Sequence, residues 1–134
     1  MIVPQARIER DGEVTAYEIG ELRASVGWDR AEDGYRRALA KRYARYTARS
    51  ADGSLAGFLS VISDGVVDAF LLDLAVAPHY QRQGLGRRLV ETAVSDARAD
   101  GIRAVHVTFK SELAPFYARC GFHILGGGII EFDE

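Results

Sequence analysis

A pair of glycines among arginines is the most informative chemical feature of the sequence. Gly84 and Gly86 follow a long apolar run, and three arginines share the same stretch: Arg82, Arg87 and Arg88. A helix that begins at these glycines presents backbone N–H groups without intrahelical acceptors, and its dipole adds positive charge there. Because glycine has no side chain, a phosphate can approach those N–H groups. The pattern predicts a cradle for a diphosphate.

Other glycine-rich phosphate motifs fit this stretch poorly. The nucleoside triphosphate loop GxxxxGK[ST] is absent from the sequence. The dinucleotide fingerprint GxGxxG needs a third glycine where Leu89 stands, and its first glycine must directly follow the strand. A simpler alternative also stays open, in which Gly84 and Gly86 only form the turns of a loop.

The hydrophobic pattern predicts the elements that must position this loop. Apolar residues at helical spacing predict four helices, over residues 15–26, 29–42, 84–99 and 111–120. Apolar runs bounded by turn residues predict strands over residues 43–48, 55–62, 66–76 and 102–109, with final strand pieces at 122–125 and 129–132. The expected fold class is therefore α/β, of the α+β kind, with one mixed sheet and helices packed on it.

Length and composition predict one globular domain spanning residues 1–134. The formal net charge of −2 argues against a general nucleic-acid binder. No apolar run approaches the roughly 18 residues that a membrane span requires, and no signal-peptide pattern is present. We therefore expect a cytoplasmic protein without membrane contact. The single cysteine, Cys120, excludes an intramolecular disulfide and a multi-cysteine metal site.

Two segments resemble the GNAT superfamily of N-acetyltransferases. Residues 81–86 read QRQGLG, which is similar to the family signature [QR]-x-x-G-x-[GA], and residues 73–78 resemble the strand before it. Residues 114–122 read APFYARCGF and resemble a second family segment, in the expected order and at a fitting distance. The resemblance is to a compact single-domain subgroup. It implies a central, mostly antiparallel sheet with a splayed pair of parallel strands, and acetyl-CoA as co-substrate.

The resemblance also implies which residues bind acetyl-CoA. The pyrophosphate would lie on the loop and the helix start, formed by Gln81, Arg82, Gln83, Gly84, Leu85, Gly86 and Arg87. The pantetheine arm would pair like an added strand with the backbone near Leu74, Ala75 and Val76. The N–H of Val76 would stabilise the oxyanion of the thioester. Ser111 stands where many relatives carry an asparagine that contacts pantetheine, although it could instead cap a helix.

Tyr117 stands where the family carries the general acid that protonates the leaving thiolate. A phenol remains protonated at neutral pH, which suits this role, although Tyr117 could also merely pack its helix on the sheet. No general base stands out. Phe70 and Leu72 occupy the strand face on which relatives often place one, and regular alternation puts Asp73 on the opposite face. Three alternatives for the base stay open: Asp68, Glu112 and a water chain to a more distant carboxylate.

The remaining reactive side chains give weaker signals. His79 lies in the loop, His106 could face the acceptor, and His123 is expected to be structural, as is Cys120. No histidine pair has metal-ligand spacing on a helix, so no metal is expected. Four aromatic residues lie where the family shapes its acceptor pocket, although core packing is the commoner use: Trp28, Tyr35, Tyr43 and Tyr46.

The sequence therefore predicts an acetyl-CoA-dependent N-acetyltransferase. The acetyl group would pass to a primary amine of a small molecule by direct attack in a ternary complex, with Tyr117 as general acid. Three alternatives stay open: a peptide or protein amine as acceptor, a catalytically silent CoA-binding regulator, and a scaffolding partner that does not bind CoA. A homodimer formed through the final strand is a further expectation.

Overall fold

The computed structural model describes residues 6–132, and its centre is one five-stranded sheet. The strands lie side by side in chain order: β1 (Arg7–Arg10), β2 (Ala44–Arg49), β3 (Leu55–Ser63), β4 (Asp68–Val76) and β5 (Ala104–Val107). The first four strands pair antiparallel, whereas β4 and β5 pair parallel. The mixed, mostly antiparallel sheet predicted from the sequence is confirmed.

Helices cover both faces of the sheet. On one face, α1 (Ala16–Ser25) and α2 (Glu32–Ala38) form a core with Phe58 and Ala75. On the other face, α3 (Leu85–Ala99) and α4 (Ala114–Arg119) pack on the larger core of the sheet. The side chains that α3 buries recur at helical spacing: Leu85, Leu89, Val90, Ala93 and Ala97.

The helix boundaries follow local capping chemistry. Thr15 and Glu18 form the predicted capping box, in which each side chain accepts from the other residue's backbone N–H at 3.0 Å. The helix predicted over residues 29–42 is shorter than expected. Ala31 takes a left-handed conformation with φ 52°, so α2 begins after it, and a short 3-10 turn at Leu39–Lys41 follows α2.

The structure contains one strand that the sequence did not predict and lacks the two final strand pieces that it did predict. β1 was not predicted, because its sequence RIER carries one apolar residue and too little alternation to mark a strand. Conversely, residues 122–132 contain no strand. The exposed fractions of Ile129, Ile130 and Phe132 are 71%, 82% and 90%, so these apolar side chains find no sheet face within the described residues. The three glycines before them also make an ordered strand entropically costly.

A bulge in β4 changes which side chains face which helices. Phe58 pairs with Ala75 but Ser60 pairs with Leu72, so β4 carries one extra residue at this point. The bulge includes Asp73, whose φ is 61°. Leu74 consequently packs with the α3 side of the sheet, and Asp73 lies on the α1–α2 side. The expectation from regular alternation, that Asp73 faces away from Phe70 and Leu72, is therefore wrong.

The parallel pair separates after a short ladder. Pairing between β4 and β5 runs from Asp68 opposite Ala104 to Leu71 opposite Val107, and residues 72–76 of β4 have no partner on that side among the described residues. The splayed pair implied by the resemblance is thus present. No helix between residues 6 and 132 is long and apolar enough to cross a membrane.

Candidate active site

The opening between β4 and β5 exposes backbone groups at the end of β4. The N–H of Ala77 donates to the carbonyl of Ala56 on β3 at 2.8 Å. Because successive N–H groups of a strand point to opposite sides, the N–H of Val76 points away from β3 and into the opening. Leu74 presents its backbone to the same side, whereas Ala75 pairs with Phe58 and presents its backbone to β3.

The start of α3 supplies further free N–H groups. The first intrahelical bond runs from the N–H of Arg88 to the carbonyl of Gly84 at 3.0 Å. The N–H groups of Leu85, Gly86 and Arg87 consequently have no intrahelical acceptor, and no side chain caps this end of the helix. The start of α3 therefore offers the unpaired N–H donors that the predicted anion cradle would use.

The two glycines of the loop differ in conformation and in surroundings. Gly84 has a φ of 81°, a left-handed conformation that an L side chain adopts only with strain, although a Cβ there would meet nothing within 4 Å. A Cβ on Gly86 would lie 3.5 Å from the Phe116 ring and 3.6 Å from the Val76 side chain, which is ordinary contact. Gly84 thus shapes the turn, and Gly86 lies where β4, α3 and α4 meet.

Two polar side chains of the loop form hydrogen bonds to its backbone, and two arginines carry its positive charge. Gln81 donates to the Val76 carbonyl at 2.9 Å, and Gln83 donates to the His79 carbonyl at 3.2 Å. Gln81 therefore holds the loop against β4, and Gln83 braces the loop internally. Arg82 forms no ion pair within residues 6–132, and Arg87 contacts the Glu91 carboxylate at 3.2 Å.

Arg88 does not join the charges around the cradle. Its guanidinium donates to the Ala6 carbonyl at 3.2 Å. The sequence grouped Arg88 with Arg82 and Arg87, whereas the structure directs it toward the N-terminal part of the chain.

Tyr117 is held rigidly by aromatic neighbours. Its ring stacks on Phe109 with the centroids 4.8 Å apart, and it meets Phe116 and Phe122 edge to face at 4.9 and 5.7 Å. Burial raises the pKa of Tyr117 to about 12, so its hydroxyl keeps its proton throughout the neutral range. The surroundings suit a proton donor and a packing residue equally.

Ser111 does not cap a helix. It is the first residue of a 3-10 turn at Ser111–Leu113, whose cap position is Lys110, and no side chain caps the turn. The capping alternative is therefore wrong, and the Ser111 hydroxyl is exposed to solvent.

His106 and Asp68 form a polar pair on the α1–α2 face of the sheet. The His106 Nε2 lies 2.9 Å from the Asp68 Oδ1, and the imidazole stacks on Phe70 with the centroids 4.5 Å apart. His106 lies one residue before β5 ends, next to the opening. Sequence reasoning named both residues separately but missed the pair, because the β4–β5 register brings them together across 38 positions.

A second polar cluster surrounds the bulge. The Tyr35 hydroxyl donates to one oxygen of Asp73, and the Arg23 Nη1 contacts the other at 3.3 Å. Burial and the Asp73 carboxylate together raise the pKa of Tyr35 to about 12. The guanidinium of Arg23 also lies 5.3 Å from the Trp28 ring centroid. Asp73 is therefore held in place by Tyr35 and Arg23 from the α1–α2 side.

The predicted aromatic set divides between the two faces. Trp28 and Tyr35 lie near Asp73, whereas Tyr43 and Tyr46 donate to Asp100 and Asp96 on α3 at 2.6 and 2.8 Å. Only Trp28 and Tyr35 of these four therefore lie on the side of Asp73.

The remaining candidates carry no activated group. Burial raises the pKa of the Cys120 thiol, which disfavours the thiolate that a nucleophile needs. His79 and His123 are exposed. Between residues 6 and 132, no three His, Cys, Asp or Glu side chains lie close enough to hold a metal ion.

Comparison with known proteins gives a consistent result at the level of sequence. A serotonin N-acetyltransferase of the chloroplast from Oryza sativa subsp. japonica is 32% identical over 108 residues, which are 78% of this chain and 54% of that protein. The chain thus spans about half the length of that relative. An alanine N-acetyltransferase of a ribosomal protein from Escherichia coli is 30% identical over 112 residues, covering 81% of this chain and 72% of the enzyme.

Solved structures share the fold. A GNAT family acetyltransferase from Streptococcus pneumoniae superposes with a TM-score of 0.77 at 27% identity, over 95% of this chain and 97% of that chain. A GNAT family N-acetyltransferase from Escherichia coli in complex with CoA gives 0.75 at 23% identity, over 92% and 71% of the two chains. The model of the acetyltransferase (GNAT) family matches residues 10–122, and the chain therefore belongs to that family.

Proposed function

We propose that this protein transfers the acetyl group of acetyl-CoA to a primary amine of a small molecule. The proposal rests on one observation: backbone N–H groups without partners lie at the end of β4 and at the adjoining start of α3. The α3 set suits the diphosphate, and the β4 edge suits the pantetheine arm, with residues 81–87, Leu74 and Val76 as the binding residues. Ser111 lies exposed before α4 and would contact the pantetheine region.

Direct attack accounts for the reaction without a covalent enzyme intermediate. The amine nitrogen forms a bond to the thioester carbon, and the N–H of Val76 faces the oxygen that gains charge. The C–S bond then breaks, and the Tyr117 hydroxyl gives its proton to the departing sulfur. Solvent reprotonates the phenolate. The raised pKa of Tyr117, about 12, keeps the donor protonated before each turnover.

His106 is the base that we propose for the amine. An imidazole can accept a proton at neutral pH, and the Asp68 carboxylate, 2.9 Å from the His106 Nε2, holds the ring in place. Asp73 suits this role less well, because Tyr35 and Arg23 already occupy its two oxygens. His106 lies opposite Phe70, six residues before Val76 on β4, so the proton that the attacking amine loses would reach it through a chain of water molecules.

A protein or peptide α-amine is the second candidate acceptor. Its support is the 30% identity with the alanine N-acetyltransferase of a ribosomal protein. The third candidate function is that of a regulator that binds CoA without transferring an acetyl group. A dimer is a further part of the proposal, because the exposed apolar side chains of Ile129, Ile130 and Phe132 would suit a contact with a second copy.

Acetyl-CoA-dependent thiol release across a panel of amines, amino acids and peptides tests the proposal. We expect turnover on at least one small amine, and higher kcat/KM on small amines than on peptides. CoA binding without turnover on any amine would support the regulator, and no CoA binding would refute the proposal altogether. Light scattering on the same sample would measure the oligomeric state.

A further inference from the structure

We propose that residues 129–132 of one copy of this chain pair with the outer edge of β5 in a second copy, so that two copies exchange this segment. The inference rests on the dimer named in the proposed function and adds the surface that receives residues 129–132. It starts from the sheet order, which places β5 last and gives it β4 as its one strand neighbour within residues 6–132. Such an edge presents N–H and carbonyl groups with which a further extended segment can pair.

A cavity of about 350 Å³ lies beside this edge of β5. Its lining includes Ala104 and Val105 of β5, and also Gly121 and Phe122, which follow α4. The cavity thus separates β5 from the stretch of chain that follows α4. Neighbouring strands lie about 4.8 Å apart, so an extended segment placed beside β5 would run through this cavity.

The lining of the cavity carries positive charge without a matching carboxylate. Arg98 of α3 and Arg103 both line it, and neither forms an ion pair in the described part of the chain. His123 lines it as well, and no Asp or Glu of residues 6–132 does. Val105 packs in the core on the α3 side, so Arg103, two residues earlier, lies on the same face. The α3 face of the cavity therefore suits a carboxylate.

Residues 129–132 read IIEF and supply one carboxylate among apolar side chains. In an extended segment, Ile129 and Glu131 point to one face. Ile130 and Phe132 then point to the other face. With Glu131 on the α3 face, its carboxylate meets the two arginines of the cavity.

The opposite face of the sheet suits the two remaining apolar side chains. On that face Phe70 is 42% exposed and stacks on His106 of β5. A strand beside β5 would place Ile130 and Phe132 next to His106, where they cover part of this exposed aromatic surface. The second copy would thereby contribute side chains next to the base proposed for acetyl transfer.

A second copy of the chain is the source of residues 129–132 in this arrangement. In their own chain, the side chains of Ile129, Ile130 and Phe132 are mostly exposed and therefore do not line the cavity. Residues 126–128 are all glycine, and a flexible hinge of this kind allows a segment to cross to another molecule. Under twofold symmetry each copy both donates and receives residues 129–132, so the dimer contains the contact twice.

Charge reversal on each side of the contact tests the inference. Analytical ultracentrifugation should find the wild type dimeric. Arg103→Glu and Glu131→Arg should each raise the dimer dissociation constant at least about 100-fold, because like charges then meet twice in each dimer. An equimolar mixture of the two variants should form heterodimers with a dissociation constant within about tenfold of the wild type, because both contacts then join opposite charges. Native mass spectrometry of the mixture identifies the heterodimer.

Arg37→Glu is the matched control, because Arg37 is an exposed arginine of α2 and the substitution changes the net charge equally. It should keep the wild-type dissociation constant. Arg98→Glu serves as a second variant if Arg103→Glu does not fold, and it should weaken the dimer in the same direction.

A monomeric wild type would overturn the inference, as would a dimer that both charge reversals leave intact or a mixture that forms no heterodimer. These outcomes do not depend on turnover, so they are separate from a test of acetyl transfer. A dimer that behaves as expected but transfers no acetyl group would refute the proposed function and leave the exchange of residues 129–132 in place.

Discussion

Replacing Tyr117 with phenylalanine separates packing from catalysis. The phenylalanine ring keeps the contacts with Phe109, Phe116 and Phe122 at 4.8, 4.9 and 5.7 Å. The Tyr117 hydroxyl has no hydrogen-bond partner between residues 6 and 132, so its removal leaves no protein group unpaired. We expect the free energy of unfolding to change by less than about 1 kcal/mol.

The kinetic effect of the same substitution should be large. Loss of a general acid slows proton transfer to the leaving sulfur, and we expect kcat to fall at least about tenfold. The KM for acetyl-CoA should stay within about twofold, because the hydroxyl acts in the transition state. Thiol release at saturating acetyl-CoA measures kcat, and chemical denaturation measures stability.

Tyr46→Phe is the matched control. Tyr46 is also buried, but its hydroxyl donates to Asp96 at 2.8 Å, on the side of α3 away from Asp73. This variant should lose about 1 kcal/mol of stability and keep its kcat. Undiminished kcat in a folded Tyr117→Phe variant, or an equal loss of kcat in both variants, would refute the assignment of Tyr117 as the acid.

Three further predictions concern the turn, alkaline stability and the base. Gly84→Ala should lose about 1 to 2 kcal/mol of unfolding free energy because its φ is 81°, whereas Gly86→Ala should lose less, and thermal denaturation of both variants measures the difference. The pKa of Tyr35 is raised to about 12, so the stability that its buried neutral phenol provides is present below pH 10 and is lost as the pH rises toward 12. Denaturation of wild type and Tyr35→Phe from pH 9 to 12 should show a smaller loss of unfolding free energy in the variant. His106→Gln should lower kcat at least about tenfold with little change in the KM for acetyl-CoA, as measured by thiol release.

Each of these predictions has a contradicting result. Equal stability losses at Gly84 and Gly86 would mean that backbone conformation does not distinguish the two glycines. Parallel pH curves for wild type and Tyr35→Phe would mean that burial does not favour the neutral phenol. For His106, an unchanged kcat would remove it as the base, and Asp68→Asn should lower kcat by less than His106→Gln because Asp68 only positions the imidazole.

The sequence predicted those structural features that depend only on residues close together in the chain. The Thr15 capping box, the loop from Gln81 to Gly86 and the following helix are each encoded within a few residues. The splayed strands were expected from the family resemblance, and the ladder that ends at Leu71 and Val107 agrees with it.

Features that depend on tertiary register could not be predicted in this way. The bulge at Asp73 reverses the expected face of a carboxylate, and no local residue pattern marks it. The pairing of His106 with Asp68 arises from the alignment of β4 with β5. The false strands over residues 122–132 show the converse, since apolar composition alone does not provide a strand with a partner.

The central claim is that free backbone N–H groups at the start of α3 bind the diphosphate of CoA. Calorimetric titration of CoA into a Gly84→Val, Gly86→Val double variant tests it most directly, with Gly128→Val as control because a Cβ at Gly128 meets nothing within 4 Å. The account predicts that the folded double variant loses at least about 100-fold in affinity, the scale expected when several N–H contacts to phosphate are blocked, and that the control binds like wild type. A folded double variant with the wild-type titration curve would contradict the account.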